Sequence, residues 1–255
     1  WSAVLGQEFR RHGHEVVVVN AGVDGQSTIG HIKNFDLWFP KIPDLKARYA
    51  LVYVGINDLL TMDQGYFAES DSLFAWSHHT KRFLMNNSAL YGLFRNIRGM
   101  VRARDARLTH ASGGFNGLEW QEPTQLPDVE AAERKHVSKL AAYEGRLREL
   151  TWRIQAFGAR PIFVTQHRAD YRVVGGRVLN PVMKDGTLHD GRYADQMAIN
   201  RKTMQVCGEL KAICIDLASD VFFGENDTYD FFHTTPPGSR RIGLYLYEKL
   251  KDIVR

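Results

Sequence analysis

The chain predicts an α/β domain, a mostly parallel sheet with helices on both faces. Three observations carry that expectation. Apolar runs of strand length alternate with helical stretches along the chain, the order in which crossover connections build parallel sheets. The run Glu15-Val16-Val17-Val18-Val19-Asn20 is continuously β-branched between its ends, as in a strand buried on both faces. With 255 residues and 44% hydrophobic content, one domain has enough material for a full core.

Element by element, Trp1, Val4, Leu5 and Phe9 form a helical stripe over Trp1 to His12, which Gly13 ends. After the Glu15 to Asn20 strand, Gly22 and Gly25 turn the chain, and Ser27 or Thr28 caps a helix running through Leu37. A strand over Ala50 to Val54 then delivers Gly55 and Asn57 to its C-terminal end, where open α/β sheets bind ligands. From about Thr61 to Leu126 the pattern changes to aromatic-rich, Gly-containing sequence. This stretch is expected to be an insertion, with one helix around Ser88 to Arg107 and an irregular loop over His110 to Gln125. Insertions beside such sites often serve as lids or substrate walls. A long helix is expected from the N-cap Asp128 to Phe157, stopped by Gly158. There follow a strand over Pro161 to Gln166, a polar loop over Tyr171 to Arg192, a helix over Tyr193 to Leu210, a strand over Ile213 to Leu217 and a helix over Gly238 to Ile253.

Composition narrows the classes. The formal charge of +4 is mild for this length, and Arg95, Arg98, Arg102, Arg104 and Arg107 hold much of the excess. There is no zinc-finger spacing and no RNP-like aromatic block, so no nucleic-acid partner is expected. Cys207 and Cys214 are too few for a disulfide framework, and two buried core thiols are preferred to a local bridge. No stretch reaches the roughly 20 apolar residues of a membrane span. The apolar, Arg-interleaved segment Leu90 to Val101 is expected to pack in a core rather than on a membrane surface. The compartment stays open, with export preferred. The pairs His78-His79 and His12/His14 do not suit a metal, because neighbouring side chains diverge and no carboxylate or thiolate stands at ligand spacing. No metal or cofactor is expected. A nucleotide-binding domain would fit the sheet, but no G-x-x-x-x-G-K-[ST] or G-x-G-x-x-G loop is present.

Chemistry concentrates in short blocks at the ends of predicted elements. Asn20-Ala21-Gly22-Val23-Asp24-Gly25 and Gly55-Ile56-Asn57-Asp58 both suit the donation of N–H groups to a developing oxyanion. In Asp230-Phe231-Phe232-His233 a carboxylate stands three residues before a histidine, where it can orient the ring as a base. Gln166, His167 and Arg168 follow a strand and point toward the same end of the sheet as Asn57, where they line a substrate pocket or simply make the loop polar. Ser27 is the serine nearest these blocks, but no G-x-S-x-G elbow surrounds it, and a helix cap is the preferred role.

These blocks resemble those of the SGNH (GDSL-type) hydrolases. Gly22 matches the second block of that family, Asn57 the third within its G-x-N-D signature, and Asp230 with His233 the last, as D-x-x-H. The resemblance runs from Trp1 to the C-terminal helix apart from the insertion. It implies a flavodoxin-like three-layer α/β/α fold, with residues 1–255 forming one such domain that lacks its first strand. It also implies a serine esterase or acylhydrolase working through an acyl-enzyme. His233 and Asp230 would be the base pair, and Gly22 and Asn57 the oxyanion hole. Asp58 is expected to brace its loop. The Gly-Asp-Ser block of the family matches nothing here, so the nucleophile is expected on a strand before Trp1, at the centre of the sheet. The substrate would be a small, glycan or lipid ester. An O-acetyltransferase acting on a carbohydrate and a non-catalytic binding module that lost its serine remain the alternatives.

Overall fold

A computed structural model describes residues 1–23, 25–63, 115 and 117–254, without the side chains of 60–63. The expected helix around Ser88 to Arg107 and most of the expected insertion lie outside the described residues.

Helix α1 (Ser2–Arg11) opens the chain, and α2 (Thr28–Leu37) follows, capped by the Ser27 side chain. Strand β1 (Tyr49–Tyr53) leads into α3 (Ile56–Asp63), and a two-residue strand β2 is formed by Trp120–Gln121. Helices α4 (Val129–Lys135) and α5 (Val137–Ala156) precede β3 (Arg160–Val164). Strands β4 (Arg172–Val174) and β5 (Arg177–Pro181) come next, then α6 (Tyr193–Glu209), β6 (Ile213–Ile215), the short α7 (Leu217–Asp220) and α8 (Pro236–Leu250).

The central sheet is parallel in the order β1-β3-β6, with Leu51 opposite Ile162 and Ile162 opposite Ile213. Alternation along its strands feeds two cores. Val52, Val54 and Phe163 pack with α5 and α6, and the α5 stripe Leu140, Tyr143, Leu147, Leu150 and Ile154 has the 3–4 spacing of one helix face. Ile162, Val164 and Ile215 pack on the other side with Leu5 and Phe9 of α1 and Ile242, Leu246 and Leu250 of α8. Each fully buried aliphatic side chain contributes about 1.5–3 kcal/mol. The expected α/β architecture with helices on both faces is what the chain adopts.

Several local expectations are corrected. Glu15 to Asn20 forms no strand and pairs with none among the described residues. Val16 and Val18 pack against the α1/α8 core, while Val17 and Val19 are 84% and 72% exposed. A strand exists only within a ladder, and the edge of β1 away from β3 carries no described partner. The long helix after Asp128 is kinked at His136 (φ −106°, ψ 19°), whose ring reaches Asp195 at 3.2 Å. Asp128 caps α4 as expected, and Gly158 ends α5 at φ +88°.

The polar loop Tyr171 to Arg192 contains a hairpin. Gly175 and Gly176, both at positive φ, form its two-residue turn, and β5 also pairs with Trp120 and Gln121 inside the expected irregular loop. Cys207 and Cys214 are not free thiols but a disulfide. Lys211, at φ 52°, reverses the chain after α6, and the two Cα atoms come within 5.9 Å.

Candidate active site

The C-terminal ends of β1 and β3 and the loop before α8 carry the polar groups of interest. At the end of β1, Gly55 adopts φ +128°, a conformation that L side chains rarely take, and so turns the strand directly into α3. The Ile56 N–H donates to Gln166 Oε1 at 2.7 Å. Gln166 is held in turn by Gln196 Nε2 and Asn200 Nδ2, which donate to its carbonyl at 3.0 and 2.9 Å. Gln166 therefore braces the turn that presents Asn57.

Asn57 Nδ2 donates to the Gln26 carbonyl at 2.8 Å, and the Gln26 side chain forms a reciprocal amide pair with Asn34 of α2. Asp58 is 1% exposed. It accepts from the Thr28 N–H and hydroxyl and from Arg146 of α5, while Arg146 Nε also donates to the Thr28 hydroxyl at 2.7 Å. Burial pushes the Asp58 carboxyl up by more than Thr28 and Arg146 draw it down. Asp58 thus ties the Asn57 turn to α2, and Ser27 serves as the cap of that helix. The backbone N–H of Gly22 donates to Asn20 Oδ1 at 3.1 Å in an exposed Asx turn.

His233 Nδ1 lies 2.7 Å from Asp230 Oδ2, while Asp230 Oδ1 accepts the N–H groups of Phe232 and His233 at 2.8 and 2.7 Å. Burial raises the Asp230 carboxyl, but the two N–H groups and the imidazole outweigh it and hold the group below its usual range. With Nδ1 donating to a carboxylate, Nε2 is the basic nitrogen. The His233 side chain is 51% exposed, and its ring stacks on Tyr229 at 5.7 Å. A bridge between Thr228 and Thr234 and a Tyr229 N–H bond to the His233 carbonyl close the loop. Thr235 then caps α8, starting that helix at Pro236, two residues before the expected Gly238.

The Gln166 to Tyr171 segment joins these groups. At one end Gln166 holds Ile56, next to Asn57; further along, the Ala169 N–H donates to the Phe231 carbonyl, inside the Asp230–His233 turn, at 2.9 Å. His167 is stacked on Phe223 at 4.8 Å and meets the edge of Tyr171 at 5.0 Å. Burial pushes its pKa down to about 4, against the pull of Asp170 and with a smaller push from Arg168. Sequence reasoning pointed to Gln166 and Asn57 but missed the residues that brace them, Gln196 and Asn200 at Gln166 and Gln26 at Asn57, whose amides carry no motif.

The His167 shift sets an acid-stability expectation. The unfolded histidine takes its proton near pH 6.5 and the folded one near 4, so the unfolded chain binds the proton first. Stability from this group is complete above about pH 6.5 and is lost as pH falls toward 4, by at most roughly 3 kcal/mol. Urea unfolding at pH 7 and pH 4.5 should show a smaller acid loss in His167→Phe than in the parent. Equal losses would mean that His167 is protonated in the folded protein.

No protein-family model matches the chain, and no curated protein does. Among solved structures, an acetyl xylan esterase, AlAXEase, superposes with a TM-score of 0.52 at 10% sequence identity, over 100% of this chain and 90% of that one. At that identity the likeness is one of fold.

Proposed function

We propose that this protein is a serine esterase of the SGNH type that cleaves O-acyl esters through an acyl-enzyme, with a carbohydrate as the alcohol side of the substrate. The observation that carries the proposal is the Asp230–His233 pair, whose 2.7 Å contact fixes the imidazole with Nε2 as its base. His233 takes the proton of the serine hydroxyl as that oxygen attacks the acyl carbon, and returns it to the departing alkoxide. Water then repeats the sequence on the acyl-enzyme. Asn57 spends one amide N–H on Gln26 and keeps the other for the oxyanion. Gly22 contributes its N–H by exchanging the exposed bond to Asn20. The carbohydrate is supported by fold likeness to an acetyl xylan esterase.

The nucleophile is expected on a strand beside β1, whose edge away from β3 has no partner among the described residues. The disulfide supports an exported protein, since such bonds persist in oxidising compartments. The test is exposure of the intact natural polypeptide to a fluorophosphonate probe, with peptide-level mass spectrometry and acetate release from acetylated xylan measured in parallel. One adduct on a serine outside Trp1–Arg255, with acetate release, is the expected result. No adduct and no release would leave a binding module as the better account.

A further inference from the structure

Within the Gln166 to Tyr171 segment lies an ion pair that the proposed chemistry does not use. Arg168 is 4% exposed and Asp170 is fully buried. Arg168 Nε donates to the two Asp170 oxygens at 3.0 and 3.2 Å, Nη2 donates to Oδ2 as well, and Nη1 is buried with no hydrogen-bond partner among the described residues. Such a pair is a poor stabiliser, because desolvation of two charges offsets their attraction. Its geometry has another consequence. The residue between the two charges is Ala169, whose N–H holds the Phe231 carbonyl. The Arg168 guanidinium lies 4.7 Å from the centroid of the Phe232 ring. Phe231 and Phe232 are the two residues separating Asp230 from His233, and the Phe232 N–H is one of the donors that fix Asp230.

We propose that Arg168 and Asp170 are positioning residues for the Asp230–His233 pair. The fork between the side chains at either end of Arg168-Ala169-Asp170 fixes the backbone so that the Ala169 N–H presents itself to Phe231, while the cation covers Phe232. The turn is held at both of its inner residues. The Nδ1–H tautomer of His233 therefore depends on an ion pair that reaches the turn through Phe231 and Phe232. The functional meaning of this device rests on the esterase reading; its physical content does not.

The test is the His233 tautomer, read from imidazole 15N shifts, in the parent chain, in Arg168→Met/Asp170→Leu and in Arg168→Lys. Replacing both members with apolar residues of similar volume is often neutral for stability, so the double variant is expected to fold. Its Nδ1–H to Nε2–H ratio should fall more than tenfold, while Arg168→Lys, which keeps the charge and loses the fork, shifts it less. In active enzyme the same variants should lose kcat with little change in KM. A folded double variant with the parent's tautomer ratio overturns the inference and leaves the dyad standing. Should the double variant not fold, an unchanged ratio in Arg168→Lys overturns it equally. A parent chain lacking the Nδ1–H tautomer overturns the inference and the dyad together.

Discussion

Asp230→Asn is expected to lower kcat/KM for acetyl-ester hydrolysis by about 10³- to 10⁴-fold while leaving the fold in place. Asp230 performs two separable tasks. Its Oδ1 accepts the Phe232 and His233 N–H groups, and its Oδ2 faces His233 Nδ1. Asparagine keeps an acceptor for the two backbone bonds, so the turn closes as before. In place of Oδ2 it puts an amide donor against Nδ1, which must then accept, and the ring's proton moves to Nε2. The base is lost without loss of the histidine. His233→Ala should be at least as damaging, since the base itself is gone while its backbone N–H still reaches Asp230. Both variants are checked by acetate release and by the rate of fluorophosphonate labelling, with melting temperatures close to the parent's. Activity within tenfold of the parent in Asp230→Asn would show that Asp230 shapes the turn and takes no part in setting the base.

The contact between Asp230 and His233 was legible in the sequence because its geometry is local. An aspartate three residues before a histidine can cap the intervening turn and reach the ring with little help from the rest of the fold. The same holds for the Ser27 and Asp128 caps and for Gly158, each a decision made within one turn of helix. Glu15 to Asn20 failed for the opposite reason. Four consecutive valines state a preference for extended backbone, but a strand needs a pairing neighbour that composition does not specify, and none is present among the described residues. The β4–β5 hairpin was missed although Gly175-Gly176 between Val173-Val174 and Arg177-Val178-Leu179 is a recognisable two-residue turn signal. The surrounding polarity outweighed it.

The disulfide required knowing that Lys211 takes a left-handed conformation, which places two cysteines seven apart side by side. Arg168 reads with Gln166 and His167 as pocket lining or loop polarity, and nothing in the sequence singles out Asp170 or says that the two are buried as a pair. Burial of a charged pair is a property of what folds over it.

Gly238→Ala carries the largest expected effect on stability, roughly 3 kcal/mol, or about 6–12 °C in melting temperature. A Cβ at Gly238 would stand 2.0 Å from the Asp227 carbonyl oxygen and 2.7 Å from its carbon, both backbone atoms. The chain at Asp227 has little room to retreat. Its carbonyl accepts the Thr235 N–H at 2.9 Å, its carboxylate accepts the Gly224 N–H at 2.7 Å, and Arg241 of α8 pairs with it at 3.1 Å. Relief therefore requires α8 to part from the loop at Asp227, breaking bonds on either side of the turn that carries the dyad. Activity should consequently fall even at temperatures where the variant is folded, because the bridge between Thr228 and Thr234 lies between that displacement and His233. Gly208→Ala is the control: it lies in the last turn of α6, and outside its chain neighbours and that helix's own backbone no described atom stands within 4 Å of the new methyl group. Better helix propensity should leave that variant neutral or up to about 1 kcal/mol more stable. Thermal melts of the two variants separate steric exclusion from a generic glycine effect. A Gly238→Ala protein melting with the parent would show that Asp227 is free to move, and the turn presenting His233 would then be less rigidly anchored than its bonds imply.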